Sequence, residues 1–131
     1  NLINRLRTGT HEQAVGLLLE VQEAVKPQPS IKVVDVWEQW HVWKAAFKAL
    51  LRIGTPEACV GAAMMLMPTD GSMNMLEVSL AWEPSDAAVW PAGIVRWYPP
   101  RCGGDNWHAR TETASTAALA LAAAIMETRN V

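Results

Sequence analysis

Two side chains capable of nucleophilic chemistry, Cys102 and His108, lie at opposite ends of one loop, with Asp105 between them. A thiol–imidazole pair acts as a nucleophile only where the two groups touch and a third group orients the base. A zinc site needs three or four protein ligands, and no second cluster of cysteine or histidine accompanies this pair. We therefore predict an ordinary loop, with no catalytic residue and no metal site. A Cys/His enzyme is the alternative.

Charged and aromatic residues on the predicted strands form the stronger candidate site. Alternate residues of a strand project from the same face of a sheet. One predicted polar strip on such a face contains Glu77, Arg96, His108, Arg110 and Glu112. Mixed aromatic and charged surfaces are typical of protein interfaces, whereas cross-strand ion pairs on a solvated face are the alternative. The predicted binding residues are Glu77, Arg96, Tyr98, Arg101, Trp107, His108 and Arg110.

Cofactor motifs are incomplete in this sequence. Gly103-Gly104 lacks the strand–loop–helix context and the Lys-Ser/Thr partner of a phosphate-binding loop. His11-Glu12 begins like the HExxH zinc motif, but residue 15 is valine, so the second histidine is absent. We therefore predict no cofactor.

Composition predicts one globular domain over residues 1–131, a length sufficient to bury a core. Half of the residues are hydrophobic and 18% are charged, which excludes a disordered chain. The formal net charge is -2 and no lysine- or arginine-rich run occurs, so the electrostatic footprint of a nucleic-acid-binding protein is missing. Two cysteines are too few for a disulfide scaffold. No stretch predicts a membrane span, and we expect a cytoplasmic protein.

Helical periodicity dominates residues 1–67, the predicted helical half of the domain. Residues 2–6 predict a short first helix, and an apolar stripe over residues 11–25 predicts a second. That stripe consists of Ala14, Leu17, Leu18, Val21 and Val25. The sequence Thr55-Pro56-Glu57 predicts the start of another helix, because it places a cap, a tolerated proline and an acid in that order.

The best-defined helical pattern covers residues 36–52 and holds three of the chain's seven tryptophans. Large apolar residues recur there at spacings of three and four, and Gly54 predicts the end of the helix. The apolar stripe consists of Val36, Trp37, Trp40, Trp43, Phe47, Leu50 and Leu51. Full burial of one tryptophan stabilises a fold by at most about 4–6 kcal/mol, so we predict that this helix organises the core. A tryptophan-lined surface for a ligand or partner is the alternative.

The pattern changes from helical to alternating in the second half of the domain, residues 72–129. The three predicted strands cover residues 73–82, 93–98 and 107–112. Short loops join them, which predicts an antiparallel meander over about residues 73–112. An alanine-rich helix opens near residues 113–116. The predicted class is α+β, with the meander packed against three to five helices in layers.

The second half of the sequence also resembles a known family. The motifs that carry the likeness are the helix TPEACVGAAMMLMP, a strand ending in WYPP, a glycine-rich loop and the segment WHARTETASTAALALAAAI. Over residues 55–128 their order resembles the phage ABA sandwich domain, a family of small phage and prophage proteins. The tryptophan-rich stretch at residues 33–52 has no counterpart there. The resemblance implies a phage origin and a layered α/β fold, and it supplies no catalytic residues.

These features predict a small phage- or prophage-encoded binding protein without catalysis, acting in the bacterial cytoplasm. The expected partner is a host or phage protein, such as a host defence component, bound through exposed aromatics and the polar strip. Seven tryptophans exceed what a small core buries, so we also expect a homo-oligomer. The alternative is a nucleotide-sequestering protein, in which a base stacks on tryptophan and arginine holds the phosphate. The candidate residues for that function are Trp90, Trp97, Trp107, Arg96, Arg101 and Arg110.

Overall fold

The computed structural model describes residues 1–25, 36–68, 73, 76–81, 92–97 and 110–129. Within these ranges the chain forms five α-helices and three β-strands, so the predicted α+β class is confirmed. The helices are α1 (Leu2–Thr8), α2 (His11–Val25), α3 (Val36–Ile53), α4 (Pro56–Met65) and α5 (Ala117–Arg129). The strands are β1 (Leu76–Ala81), β2 (Ala92–Trp97) and β3 (Arg110–Ala114).

The two N-terminal helices pack against each other through the predicted apolar positions. All five residues of the α2 stripe are buried, and so are Ile3 and Leu6 of α1. The Asn1 side chain accepts a hydrogen bond from the backbone N–H of Ile3 and caps α1. Gly9 joins the helices at a close approach, because a Cβ atom there would lie 2.8 Å from Leu17 Cδ1 and 2.9 Å from the Arg5 carbonyl oxygen.

A two-residue connection, Gly54-Thr55, joins α3 to α4 as the sequence predicted. Gly54 has a φ of 69°, and its N–H donates to the Leu50 carbonyl at 3.1 Å, which ends α3. The Thr55 hydroxyl then accepts from the Ala58 N–H at 3.2 Å, and Pro56 opens α4. Since α3 has 18 residues and α4 has 10, α3 is about 12 Å longer than α4.

The strands pair antiparallel in the order β1-β2-β3. Cα partners at the ends of the two ladders are Leu76–Trp97, Ala81–Ala92, Gly93–Ala114 and Trp97–Arg110. β3 continues two residues beyond its predicted end, because the β-branched Thr111 and Thr113 favour extended backbone. The predicted strand residues 74–75, 82, 98 and 107–109 lie outside the described ranges.

This register gives the sheet two chemically different faces. On the inner face, Val95, Trp97, Glu112 and Ala114 are buried. On the outer face, Arg96, Thr111 and Thr113 are exposed and Ile94 is partly exposed. Helix α5 packs against β1, β2 and β3. The burial pattern places α5 on the inner face.

The helix at the centre of the fold is α5. Every residue from 118 to 125 is at most 2% exposed, because α5 packs against α1, α2 and α4 as well as the sheet. Within the described residues, the main packing partner of α3 is α4 alone. The prediction that the tryptophan-rich helix organises the core is therefore wrong. Alanine's small side chain lets neighbours approach α5 from all sides, and a helix apolar all round belongs inside a protein.

Close approach of the sheet to α5 depends on one glycine. A Cβ atom at Gly93 would lie 2.3 Å from the Ala117 nitrogen and 2.4 Å from its Cα atom. Thr116 caps α5 at the same point, since its hydroxyl accepts from the Leu119 N–H at 3.2 Å. The sequence predicts that this helix begins near residues 113–116. The structure confirms a start directly after Thr116.

Candidate functional site

The outer face of the sheet carries part of the predicted polar strip. Arg96 is exposed on β2 and pairs with Thr111 of β3 on one side and with the Glu77 position of β1 on the other. Ile94 and Thr113 form the next pair along the same face. One guanidinium, two hydroxyl groups and one aliphatic side chain thus share an open surface, which suits contact with a polar partner.

Arg110 and Glu112 do not belong to that surface, and their predicted placement beside Arg96 is wrong. Arg110 pairs with Trp97, and Glu112 pairs with Val95, so both lie on the inner face. A register shift of one residue moves every side chain of a strand to the opposite face. The alternation predicted within each strand agrees with the structure, but the observed register pairs Arg96 with Thr111 and puts Arg110 and Glu112 on the other face.

Glu112, which is itself buried, instead belongs to an ion-pair cluster that joins three elements. The Arg7 guanidinium of α1 donates through Nε to one carboxylate oxygen of Glu112 and through Nη2 to the other at 3.3 Å. The same Nη2 atom donates to Glu127 of α5 at 2.7 Å. The hydrogen bond to Glu112 is the main cause that raises the pKa of Arg7. All the charges are paired, so the cluster fastens α1 to β3 and α5.

Trp97 cannot stack a base in the predicted nucleotide site. Its side chain is 1% exposed on the inner face, and the Arg110 guanidinium carbon lies 5.4 Å from its ring centre. A base cannot stack on a ring that the core already covers on nearly all sides. The remaining predicted residues, Tyr98, Trp90, Arg101, Cys102, Trp107 and His108, lie outside the described ranges.

A ladder of aromatic rings on α3 forms a second candidate surface. The rings of Trp40 and Trp43 stack with centroids 5.3 Å apart and an angle of 5° between planes. Trp43 stacks in turn on Phe47, at 5.3 Å and 8°. Phe47 is fully buried, whereas both tryptophans are partly exposed. The ladder therefore leads from the buried Phe47 to the partly exposed Trp43 and Trp40.

Two exposed apolar side chains lie on another side of α3. Val42 is 69% exposed and Ile53 is 63% exposed, both on the same flank of the helix. Because Val42 lies about 160° around the helix from Trp40, we call the surface formed by Trp40 and Trp43 alone the tryptophan face. Exposed apolar clusters of this kind mark interaction sites more often than single exposed residues do.

Three cations border the tryptophan face on the opposite flank. Lys44, Lys48 and Arg52 follow one another at intervals of four residues and form what we call the cation row. Lys48 and Arg52 are exposed and Lys44 is partly exposed. None of the ion pairs found in the described residues involves them. The sequence contains this signal, because a spacing of four residues puts all three side chains on one flank of a helix.

A polar cleft of about 480 Å³ lies between α1 and α2. Arg5 and Glu20 form a bidentate ion pair at its wall, with distances of 2.8 and 2.7 Å, and Arg5 lowers the pKa of Glu20. At the start of α2, Glu12's own N–H and the Thr10 hydroxyl lower the pKa of the Glu12 carboxyl. Because Arg5 and Glu20 already pair with each other, neither side chain provides an unpaired charge for a ligand in the cleft.

Within the described ranges, no three His, Cys, Asp or Glu side chains come together to hold a metal ion. Cys59 of α4 is a free thiol that is fully buried, and burial raises its pKa. No helix in the described part of the chain has both the length and the apolar character to cross a membrane.

Comparison with known proteins adds no relative. No family model, no curated protein and no solved structure matches this chain.

Proposed function

We propose that this protein is a non-catalytic binding module that contacts a partner protein through the tryptophan face of α3. The observation that carries the proposal is the Trp40–Trp43 stack, in which both tryptophans are partly exposed on α3. Tryptophan is the residue type most enriched among the side chains that dominate binding energy at protein interfaces.

The ladder also prepares the surface for binding. Trp43 is held between Trp40 and the buried Phe47, and it packs against the core. Side chains already fixed in one orientation lose little conformational freedom when a partner binds. Binding of a partner to the tryptophan face therefore causes little loss of conformational entropy in the two rings.

The outer sheet face supplies a second contact in this proposal. Arg96, Thr111 and Thr113 offer exposed hydrogen-bonding groups there, and a polar surface of this kind suits the rim of an interface. We also propose the layered arrangement expected from the sequence. The packing of α5 against the sheet and also against α2 and α4 supports it.

The resemblance of residues 55–128 to the phage ABA sandwich domain supports a phage or prophage origin. It makes a host protein in the bacterial cytoplasm the partner that we propose. The tryptophan-rich helix α3 lies outside the region of resemblance, so the proposed contact belongs to the part of the chain that sets it apart.

Site-specific photo-crosslinking in bacterial lysate tests the proposal. A benzophenone-bearing residue replaces Val42, the most exposed large apolar side chain of the described residues. The matched control carries the same residue at Leu19 of α2, which is 38% exposed. We expect one dominant protein adduct at position 42, absent at position 19 and lost when Trp40→Ala is added.

Equal adducts at both positions, or an adduct that survives Trp40→Ala, would overturn the proposal. A further arm adds Arg96→Glu and Thr111→Glu to the position 42 protein. Loss of the adduct there places the outer sheet face in the same interface, whereas an unchanged adduct restricts the interface to α3. Circular dichroism and urea unfolding confirm that each variant is folded.

A further inference from the structure

Four exposed apolar side chains follow one another along α3 on the side away from Trp40. Their spacings of four, three and four residues place them within about 60° of one another around the helix. We call this surface the outer stripe, and it consists of Val42, Ala46, Ala49 and Ile53, all exposed. Val42 and Ile53 are the two most exposed large apolar side chains of the described residues.

The outer stripe has the same order of side-chain sizes in both directions. A large side chain stands at each end and two alanines stand between them. The pair Val42 and Ile53 and the pair Ala46 and Ala49 are centred on the same point, midway between residues 47 and 48. A two-fold axis at that point, relating two antiparallel copies of α3, therefore places Val42 against the partner's Ile53 and Ala46 against the partner's Ala49. Such reciprocity is what an interface between two identical chains requires.

Side-chain size along the stripe also suits a pair of crossing helices. Alanines at the crossing point let the two helix axes approach to about 8 Å, the short end of the range for packed helices. Larger side chains then fill the space where the helices diverge. On one flank the stripe is bordered by Trp43 and Leu50, both partly exposed. The two-fold axis puts each Trp43 beside the partner's Leu50, which adds apolar contact.

The charges of α3 are compatible with this pairing. Ala45 and Arg52, both exposed, border the stripe on the other flank. Each Arg52 lies beside the partner's Ala45 and about 13 Å from the level of the partner's Arg52, which exceeds the Debye length of about 10 Å at 0.1 M salt. Lys44 and Lys48 lie more than about 120° around the helix from the centre of the stripe. Pairing therefore leaves the cations in water and brings no like charges together.

We propose that the outer stripe binds a second copy of this chain and forms an antiparallel α3–α3 homodimer. The inference goes beyond the proposed function, because Trp40 lies on the far side of each helix and stays open in the dimer. A single helix from each copy buries less area than the about 800 Å² per partner of a standard interface. The dimer is therefore weak, forms in concentrated solution and dissociates in a dilute lysate.

Two other occupants explain less of this pattern. A lipid surface favours large apolar side chains along the whole apolar side of a helix, whereas the middle of the outer stripe consists of alanines. A helix of a different protein needs no symmetry in the stripe that it covers. Only a second copy makes use of the reciprocal order of large and small side chains.

Two alanine-to-glutamate variants at neighbouring exposed positions test the inference. Ala46→Glu puts a carboxylate at the centre of the interface and should weaken dimerisation by at least about tenfold. Ala45→Glu puts the same carboxylate beside the partner's Arg52 and should strengthen dimerisation about threefold at low salt, with a smaller effect at high salt. Both variants have the same change in charge and size. Sedimentation equilibrium up to about 1 mM protein gives the Kd values, and circular dichroism checks folding.

Crosslinking between unlike chains tests the antiparallel register. Proteins with Val42→Cys and with Ile53→Cys are mixed in a background that carries Cys102→Ser, while the buried Cys59 is retained. The register places position 42 at the level of the partner's position 53, whereas two copies of position 42 are about 16 Å apart along the axis. A short thiol-reactive crosslinker should therefore join unlike chains and leave each protein alone uncrosslinked.

The outcomes decide between the occupants. A chain that stays monomeric up to about 1 mM, equal effects of the two glutamate variants, or crosslinks between like chains would each overturn the inference. Vesicle binding that Ala46→Glu abolishes, without any dimer, would assign the stripe to a lipid surface instead. A dimer that Trp40→Ala abolishes and Ala46→Glu leaves intact would overturn it as well. An adduct at position 42 with twice the mass of the chain supports the dimer, whereas the proposed function is judged by adducts of other masses.

Discussion

Two arginines of α1 show how the surroundings of a charge decide its role. Arg5 meets Glu20 across the surface, where the glutamate side chain is 46% exposed. Arg7 meets Glu112, whose side chain is 8% exposed. The distance and the partner type are similar, but only Glu112 would be left as a buried, uncompensated carboxylate if its arginine were removed.

We therefore expect Arg7→Met to lower the free energy of unfolding by about 2 kcal/mol, a value below that for fully buried pairs because Arg7 is itself 40% exposed. Arg5→Met is the matched control and should leave stability almost unchanged. Urea denaturation followed by circular dichroism measures both. Equal losses for the two variants would show that burial of Glu112 does not matter.

Residue positions that depend on strand pairing were not predictable from the sequence. Alternation placed Val95 and Trp97 opposite Arg96 correctly, because that rule needs one strand only. Whether Arg96 faces Arg110 or Thr111 depends on the register set by the connection between β2 and β3. The sequence pattern holds no information on that register, so Glu112 was assigned to a surface strip although it is buried.

Secondary-structure elements were predicted best where short local signals exist. Gly54 and Thr55-Pro56 fix the end of α3 and the start of α4, because a positive φ and an N-cap act over a few residues. The relative importance of α3 and α5 was predicted wrongly. The large apolar area of the tryptophans suggested that α3 organises the core, whereas the small alanine side chains of α5 suggested packing against the sheet only and not burial on all sides.

The aromatic ladder makes a prediction about α3 as an element. Trp43 packs against the core and on Phe47, whereas Trp40 stacks on Trp43 nearer the free end of the helix. Trp43→Ala should therefore lower the free energy of unfolding by about 2 kcal/mol, and Trp40→Ala by less than about 1 kcal/mol. Urea denaturation distinguishes them. A larger loss for Trp40→Ala would mean that Trp40 is part of the core and not of a binding surface.

At the scale of the whole molecule, the sheet and the helices meet at α5. The Gly93 backbone touches the first turn of α5, and β2 and β3 both pack along that helix. No side chain fits at this point, since a Cβ atom would overlap backbone atoms of Ala117, which cannot rotate away. The separation between sheet and helix is therefore set by a single glycine.

Gly93→Ala should lower the free energy of unfolding by about 3 kcal/mol, because the sheet must move away from α5. Gly16→Ala is the matched control, since nothing lies within 4 Å of a Cβ atom there. It should raise stability by about 0.5–1 kcal/mol, the usual gain of alanine over glycine inside a helix. Thermal and urea unfolding measure both. An unchanged stability of Gly93→Ala would contradict the close contact.

The central position of α5 has a consequence for biosynthesis. The N-terminus of a chain leaves the ribosome first, and synthesis proceeds at about 5–20 residues per second. In this sequence α5 follows every other described element. The apolar sides of α1, α2 and α4 therefore emerge before the helix that covers them. Until α5 leaves the exit tunnel, the nascent chain exposes the surfaces that chaperones bind. Formation of the core accordingly waits for α5, which completes a core that the earlier helices cannot form.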